Sequence, residues 1–230
     1  MHIKAVIFDL DGTIATFNLE YKTVRALAKG YLMNKGVPAS ILSLKESVFE
    51  MLAKAEMWAQ HAGKSGEFLE EAHREVLDIT ERFELEAAAN TSLLPGVAEA
   101  IREVKGIGVK IGLCTINSEK SVNRILERFN LAALFDVVVS RNRVQRVKPN
   151  PEHLKTALKA IGVLPAETLV VGDSKVDMHS AKELGAVAVG IPTGVSSVEA
   201  LMSSGADYVV SGMADLPVLL ARLNKVGSER

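Results

Sequence analysis

The chain has 230 residues, with 27 basic against 28 acidic side chains and 48% hydrophobic residues. A net charge of −1 excludes a strongly basic protein that binds nucleic acid over its whole surface. No apolar run approaches the ~20 residues that a membrane-spanning helix needs, and the single cysteine, Cys114, excludes an internal disulfide. Because Asp9 and Asp11 interrupt the N-terminal apolar stretch, a signal peptide is not expected. We expect a cytoplasmic protein without nucleic-acid or membrane partners, either a monomer or a dimer.

Short β-branched runs alternate along the chain with longer segments of helical periodicity. The predicted strands are Ile3–Phe8, Val109–Cys114, Val137–Ser140, Leu169–Val171, Val187–Ile191 and Tyr208–Val210. The first four read as nearly continuous apolar runs, which is typical of parallel strands covered by helices on both faces. Amphipathic helices are predicted at Val97–Lys105, Glu119–Phe129, Glu152–Ile161 and Val176–Leu184. This alternation predicts an α/β fold with a doubly wound, Rossmann-like, mostly parallel sheet.

Residues 17–90 break the alternation, because they contain helical periodicity but no convincing strand. Three helices are predicted there, at Glu20–Asn34, Pro38–His61 and Ser65–Glu86. Leu94-Pro95-Gly96 then leads back to the α/β pattern, with a proline suited to the first turn of a helix. We therefore predict an α/β core domain of residues 1–16 and 91–230, with a helical domain of residues 17–90 inserted after the first strand.

The most informative motif follows the first predicted strand and reads Asp9-Leu10-Asp11-Gly12-Thr13. Side chains two residues apart in an extended segment point the same way, so Asp9 and Asp11 should face one site. Gly12 allows the chain to turn sharply after them. Two close carboxylates repel each other unless a cation or a shared proton offsets their charge. The motif therefore indicates a divalent metal with acid–base chemistry, and an acidic turn after a strand is the simpler alternative.

Polar residues also follow two later strands of the predicted sheet. Thr115 comes directly after the second predicted strand, and Asp173 comes soon after the fourth. Ligands of doubly wound sheets bind at the carboxyl ends of the strands. The sequence therefore predicts that Asp9, Thr115 and Asp173 converge on one site.

Four motifs in this order resemble those of the haloacid dehalogenase (HAD) superfamily. They are Asp9-Leu10-Asp11-Gly12-Thr13, Thr115 at the end of its strand, Lys148-Pro149-Asn150-Pro151-Glu152, and Gly172-Asp173-Ser174 followed by Asp177. Each is a weak match alone, but the ordered set spans most of the chain. The resemblance implies that residues 17–90 are a C1-type cap domain of this superfamily. An extension packed rigidly on the sheet is the alternative.

The resemblance implies a Mg²⁺-dependent phosphatase in which Asp9 attacks phosphorus and forms an aspartyl-phosphate. Asp11 would protonate the leaving group and then deprotonate the attacking water, with its pKa raised by neighbouring carboxylates. Asp9, Asp173 and the backbone carbonyl of Asp11 would hold Mg²⁺, a hard cation that prefers oxygen ligands. The presence of Asp11 favours phosphate esters over haloacids as substrates.

By the same resemblance, the phosphate group would be bound by Thr115, Asn117 and Lys148. Ile116 separates Thr115 from Asn117, a departure from many relatives that leaves the role of Asn117 open. The Lys148 ammonium would stabilise developing charge, and a solvated loop lysine is the alternative. Asp177 would orient Lys148 or a water of the metal, or it is an ordinary carboxylate at a helix start.

The expected substrate is a small phosphorylated metabolite resembling phosphoglycolate. Lys22, Arg25 and Lys64 are the candidates in the helical segment for contact with a substrate carboxylate. A phosphomutase acting on a sugar phosphate is the nearest alternative, and a non-catalytic binding or regulatory protein is an alternative of another class. The basic run Arg141–Lys148 lacks the interleaved aromatic residues that stack on bases, so a solvated surface or one that steers anions is favoured over a nucleic-acid site.

Overall fold

The computed structural model describes residues 2–16 and 18–228, and only the backbone of residues 226–228. The chain divides into two compact units, Met1–Phe17 with Thr91–Arg230, and Asn18–Asn90. We call the first the core unit and the second the helical unit. The predicted domain boundary at Phe17 lies outside the described residues.

The described part of the core unit forms a six-stranded parallel sheet. Its strands are Ala5–Phe8 (β1), Lys110–Cys114 (β2), Val137–Val139 (β3), Thr168–Gly172 (β4), Val187–Gly190 (β5) and Tyr208–Val209 (β6). Their order across the sheet is β3-β2-β1-β4-β5-β6, so β1 lies between β2 and β4. The predicted α/β class and doubly wound parallel sheet are confirmed, because every predicted strand forms and each pair of neighbouring strands is parallel.

Three α-helices make up the described part of the helical unit, and their apolar faces form a core of their own. They are Tyr21–Asn34 (α1), Val48–His61 (α2) and Gly66–Asn90 (α3). Val24, Leu32 and Met51 are among the buried residues of this core. The unit therefore has the separate hydrophobic core that a folded domain requires.

The prediction of one helix over Pro38–His61 is wrong, because α2 begins only at Val48. The Ser47 hydroxyl accepts a hydrogen bond from the Glu50 N–H at 3.2 Å, and the Glu50 carboxylate accepts one from the Ser47 N–H at 2.6 Å. This reciprocal capping box satisfies backbone donors that the first turn leaves unpaired and fixes the start of the helix. Before it, the chain forms only a short 3₁₀ turn at Ala39–Ile41.

The α-helices of the core unit connect and cover its strands. They are Val97–Gly106 (α4), Glu119–Arg128 (α5), Pro151–Ile161 (α6), Lys175–Leu184 (α7), Val198–Ser203 (α8) and Leu216–Ser228 (α9). The last two were not predicted; α8 spans fewer than two turns and therefore offers little periodicity. None of the helices in the described ranges is both long and apolar enough to cross a membrane.

Candidate active site

The ends of three neighbouring strands bring polar residues to one edge of the sheet. The Asp9 N–H donates to the Val171 carbonyl at 2.9 Å, which continues the pairing of β1 with β4. The Thr115 N–H donates to the Val139 carbonyl at 3.0 Å, which continues the pairing of β2 with β3. Asp173 follows β4 directly. Since parallel strands end on the same side, Asp9, Thr115 and Asp173 lie together.

Lys148 joins two carboxylates of this site. Its Nζ lies 2.8 Å from Asp9 Oδ1 and 2.6 Å from Asp177 Oδ1, and its side chain is only 6% exposed. Burial alone would lower the pKa of Lys148, but the charges of Asp177 and Asp9 outweigh burial and raise this pKa well above its usual value. The side chain is therefore a buried, charged ammonium, which excludes the alternative of a solvated loop lysine.

Asp177 contacts Lys148 and also begins helix α7. Its Oδ2 accepts hydrogen bonds from the Ser174 hydroxyl at 2.5 Å and from the Ser174 N–H at 3.3 Å. The Ser174 hydroxyl accepts in turn from the Asp177 N–H at 3.3 Å, which completes a capping box. From the sequence, contact with Lys148 and capping of a helix were alternative roles of Asp177. The structure shows both.

The loop after β5 holds the carboxylate of Asp173. The Val195 N–H donates to Asp173 Oδ2 at 2.7 Å, and the Thr13 hydroxyl donates to Oδ1 at a long 3.5 Å. A Cβ on Gly194 would lie 1.9 Å from Asp173 Oδ2. Gly12 has a positive φ of +78°, and a Cβ there would lie 2.7 Å from the Asp173 carboxyl group. Both glycines are therefore required for the close approach of the backbone to this carboxylate.

Three residues that shape the site were missed by sequence reasoning. The Thr193 hydroxyl donates to the Gly12 carbonyl at 2.5 Å and ties the β5 loop to the first motif. Gly172 leaves space for Asp177, since a Cβ on this glycine would lie 2.4 Å from the Asp177 Cβ. Gly194 is the third. Thr193 and Gly194 follow β5 and Gly172 ends β4, and neither threonine nor glycine is unusual there, so only the folded chain shows what a larger side chain would meet.

Asp11 and Asn117 contact each other directly. The Asn117 Nδ2 donates to Asp11 Oδ2 at 2.8 Å, and the Asn117 N–H donates to the Thr115 hydroxyl at 3.3 Å. Asn117 is buried. Its amide therefore orients the side chain of Asp11, a contact that the sequence did not predict.

The carboxylates of Asp9, Asp173 and Asp177 are close enough to share a cation, because one oxygen of each lies within 4.8 Å of the others. Among the described residues, this cluster combines three carboxylates with one ammonium, Lys148. Burial raises the pKa of Asp9 well above its usual value; Lys148 opposes this shift, and the other two carboxylates add to it. Burial and the charge of Asp177 raise the pKa of Asp173 to about 6.

This excess of negative charge fits a divalent cation, which would offset the repulsion and favour the ionised carboxylates. Asp177 already accepts hydrogen bonds on both of its oxygens. Lys148 contacts Asp9 through Oδ1, and the hydrogen bond of Thr13 to Asp173 Oδ1 is long at 3.5 Å, whereas both contacts of Asp177 are short. Asp9 and Asp173 therefore keep more capacity for a cation than Asp177, which supports Lys148.

Comparison with known proteins identifies the family. Residues 6–191 match the family model described as haloacid dehalogenase-like hydrolase. The chain belongs to this family. The pyrophosphatase PpaX of Bacillus mycoides is 30% identical over 230 residues, which cover 97% of this chain and 100% of that protein. A phosphoglycolate phosphatase of Salmonella choleraesuis is 30% identical over 94% of this chain and 91% of its own length.

Solved structures agree on the HAD fold. A β-phosphoglucomutase from Clostridium difficile superposes with a TM-score of 0.68 and 20% identity, covering 98% of both chains. A haloacid dehalogenase-like hydrolase from Bacteroides fragilis has a TM-score of 0.67 and 21% identity, covering 93% of this chain and 99% of that one. The resemblance to the HAD superfamily is confirmed, as is the prediction of an enzyme of the phosphatase class.

The cationic substrate candidates of this HAD hydrolase differ in their surroundings within the helical unit. Lys22 is exposed. The Arg25 guanidinium lies 4.8 Å from the centroid of the Tyr21 ring, and the Lys64 ammonium lies 5.8 Å from that of Trp58. Such contacts are worth about 0.5–1 kcal/mol at exposed sites, so they restrain the two cations only weakly. Contact of any of the three with substrate stays a prediction.

Proposed function

We propose that this HAD hydrolase is a Mg²⁺-dependent phosphatase of small phosphomonoesters that forms an aspartyl-phosphate on Asp9. The observation that supports the proposal most is the cluster that Asp9 and Asp173, at the ends of the adjacent strands β1 and β4, form with Lys148 from the loop before α6. In it, an ammonium lies 2.8 Å from one oxygen of the expected nucleophile. Such a cluster offers a nucleophile, charge neutralisation and a place for a metal, which are the parts that phosphoryl transfer requires.

Side chains around Asp9 bind the phosphate group of the substrate. The Thr115 hydroxyl and the Lys148 ammonium bind its oxygens, and they stabilise the charge that develops as the leaving group departs. Asp9, Asp173 and the backbone carbonyl of Asp11 are the proposed ligands of Mg²⁺. When bound, the ion supplies the positive charge that lets a phosphate dianion approach the carboxylates.

The reaction proceeds in two steps on the side chains of Asp9 and Asp11. An Asp9 carboxylate oxygen forms a bond to phosphorus while the bond to the ester oxygen breaks, and Asp11 gives its proton to that leaving oxygen. In the second step Asp11 takes a proton from water, whose oxygen attacks phosphorus and releases inorganic phosphate from Asp9. The Asn117 amide, 2.8 Å from Asp11 Oδ2, supports this assignment because it holds that side chain in place.

The substrate class proposed is a small phosphorylated acid resembling phosphoglycolate, with Lys22, Arg25 and Lys64 as candidates for its carboxylate. Two relatives at 30% identity are named as a pyrophosphatase and a phosphoglycolate phosphatase, which supports small phosphate compounds in general. Such metabolites occur in the cytoplasm, where we propose that the enzyme works. A phosphomutase acting on a sugar phosphate is the second candidate, because a β-phosphoglucomutase shares the fold.

A panel of phosphorylated acids, sugar phosphates and inorganic pyrophosphate tests the proposal through release of free phosphate. We expect release with Mg²⁺, loss of release with EDTA, and recovery when Mg²⁺ is added again. Isomerised sugar phosphate without free phosphate would instead identify a phosphomutase. Full activity in rigorously metal-free buffer would contradict the proposed metal site.

A further inference from the structure

His153 is a fully buried residue in the first turn of α6, and each of its ring nitrogens has a backbone partner. Its Nδ1 accepts a hydrogen bond from the N–H of Lys148 at 3.3 Å. Its Nε2 lies 3.2 Å from the carbonyl oxygen of Val139. Because Nδ1 acts as an acceptor, the ring proton resides on Nε2, which donates to Val139.

The charge state of the ring agrees with this geometry. Burial, together with the nearby charge of Lys148, lowers the pKa of His153 to about 4. The imidazole is therefore neutral near pH 7 and keeps the lone pair that accepts the Lys148 N–H. A protonated imidazole would carry donors on both nitrogens and could not make this contact.

The same hydrogen bonds connect Lys148 to Thr115. The Val139 carbonyl that accepts from His153 also accepts from the Thr115 N–H at 3.0 Å. A continuous path thus runs from the Thr115 amide through the Val139 carbonyl and the imidazole to the Lys148 amide. Thr115 and Lys148 lie in different segments of the chain, Thr115 at the end of β2 and Lys148 in the loop before α6. The path therefore links two segments that are distant in sequence.

We propose that His153 is a positioning residue, which fixes the backbone of Lys148 relative to Thr115 and so directs the ammonium at the transferring phosphate. This inference rests on the proposed function, because it takes Lys148 and Thr115 as the residues that bind phosphate. A lysine side chain is long and flexible, so the placement of its charge depends on where its backbone is anchored. A displacement of 1 Å at a catalytic group can cost about 100-fold in rate.

Two amide substitutions separate the two hydrogen bonds of the ring. His153→Asn places an amide oxygen near the position of Nδ1, so the acceptor for the Lys148 N–H is kept. His153→Gln places an amide nitrogen near the position of Nε2, so only the donor to Val139 is kept. His153→Leu removes both and leaves the Lys148 N–H buried without its partner, which is costly.

We expect His153→Gln and His153→Leu to lower kcat by about 10-fold to 100-fold, with a smaller change in KM. His153→Asn should recover most of this loss. Leu158→Ala is the matched control for stability, because Leu158 is buried in the same helix within an apolar cluster. That variant should lower Tm but leave kcat of the folded enzyme unchanged. The proposal would be overturned if the Asn and Gln variants lost kcat equally, or if the Gln variant had a higher kcat than the Asn variant. Parental kcat in the Leu variant would also overturn it.

Nitrogen-15 NMR of the resting protein gives a readout that does not depend on turnover. We expect the His153 ring to be a neutral Nε2–H tautomer near pH 7, and the Lys148 amide proton to shift in the Gln variant more than in the Asn variant. A protonated ring or an Nδ1–H tautomer would contradict the inferred contact. Absence of phosphatase activity in the parent would refute the proposed function alone, because the NMR result would still decide the contact.

Discussion

The glycines at the candidate active site of the core unit have surroundings opposite to those of Gly30 in the helical unit. In the core unit, a Cβ on Gly194 would lie 1.9 Å from Asp173 Oδ2, and one on Gly172 would lie 2.4 Å from the Asp177 Cβ. In the helical unit, a Cβ on Gly30 would meet no described atom within 4 Å apart from its chain neighbours and the adjacent backbone of its own helix. The site therefore has less free space than one methyl group occupies, while helix α1 has room for one.

The candidate active site requires close contact between the backbone and the carboxylates. The Val195 N–H donates to Asp173 at 2.7 Å, and a Cβ on the preceding residue, Gly194, would overlap that carboxylate. At Gly30 in the helical unit, by contrast, a methyl group would displace no neighbouring side chain of the described residues. The same substitution, glycine to alanine, should therefore have very different effects at Gly194 in the core unit and at Gly30 in the helical unit.

The largest effect is expected for Asp9→Asn in the core unit. Asparagine keeps the shape of the side chain but cannot attack phosphorus as a carboxylate does, so kcat should fall by about 10⁴-fold or more. Phosphate release on the best substrate of the panel gives the measurement, and circular dichroism with Tm verifies that the fold persists. A folded variant with near-parental turnover would exclude covalent catalysis by Asp9.

A smaller but still large effect is expected for Gly194→Ala. Its methyl group would displace the Asp173 carboxylate or the β5 loop, so the affinity for Mg²⁺ should fall by about 10-fold to 100-fold. Calorimetric titration with Mg²⁺ measures binding directly, and the Mg²⁺ dependence of kcat should shift in parallel.

Gly212→Ala is the matched control in the same unit. Gly212 has an extended backbone with φ −169°, and a Cβ there would lie more than 4 Å from every other described side chain or backbone atom outside its immediate neighbours. This variant should bind Mg²⁺ as the parent does. Parental Mg²⁺ affinity in Gly194→Ala as well would show that the β5 loop does not constrain Asp173.

The sheet and the positions of the acidic residues were predictable from the sequence for a physical reason. Buried parallel strands are apolar throughout, so a carboxylate such as Asp9 or Asp173 that ends such a run stands out. The start of α2 was also readable in principle, since Ser47 and Glu50 have the spacing of a capping box. That local pattern outweighed the longer apolar periodicity from which one helix over Pro38–His61 was predicted.

The remaining parts of the site were not predictable, because they depend on contacts between distant segments. The Val195 N–H that donates to Asp173 is a backbone group, which every residue except proline possesses. The contact of Asn117 with Asp11 spans more than a hundred residues of sequence. Likewise, a histidine five residues after Lys148 gives no sign in the sequence that its ring connects the end of β3 to the loop that holds Lys148.

A moderate effect, confined to one kind of substrate, is expected in the helical unit for Lys22→Ala, Arg25→Ala and Lys64→Ala. The variant that loses contact with a substrate carboxylate should raise KM about 10-fold for phosphoglycolate, because a charge-assisted hydrogen bond is lost. KM for a neutral aryl phosphate should change little, since that substrate has no carboxylate. Arg74→Ala, at a side chain that is 62% exposed, serves as the control for a general loss of positive charge. Equal changes on both substrates in all three variants would remove these residues from substrate selection.

The smallest effect, and the sharpest contrast with Gly194→Ala, is expected for Gly30→Ala. Gly30 lies within α1, and glycine there is less favourable than alanine because it loses more backbone freedom on folding. Alanine should therefore raise the free energy of unfolding by about 0.5–1 kcal/mol, without changing kcat. Urea denaturation followed by circular dichroism measures the change, and Gly194→Ala under the same conditions provides the comparison. Destabilisation by Gly30→Ala would show that a methyl group meets an obstacle at this position, and the contrast between the two units would then not extend to α1.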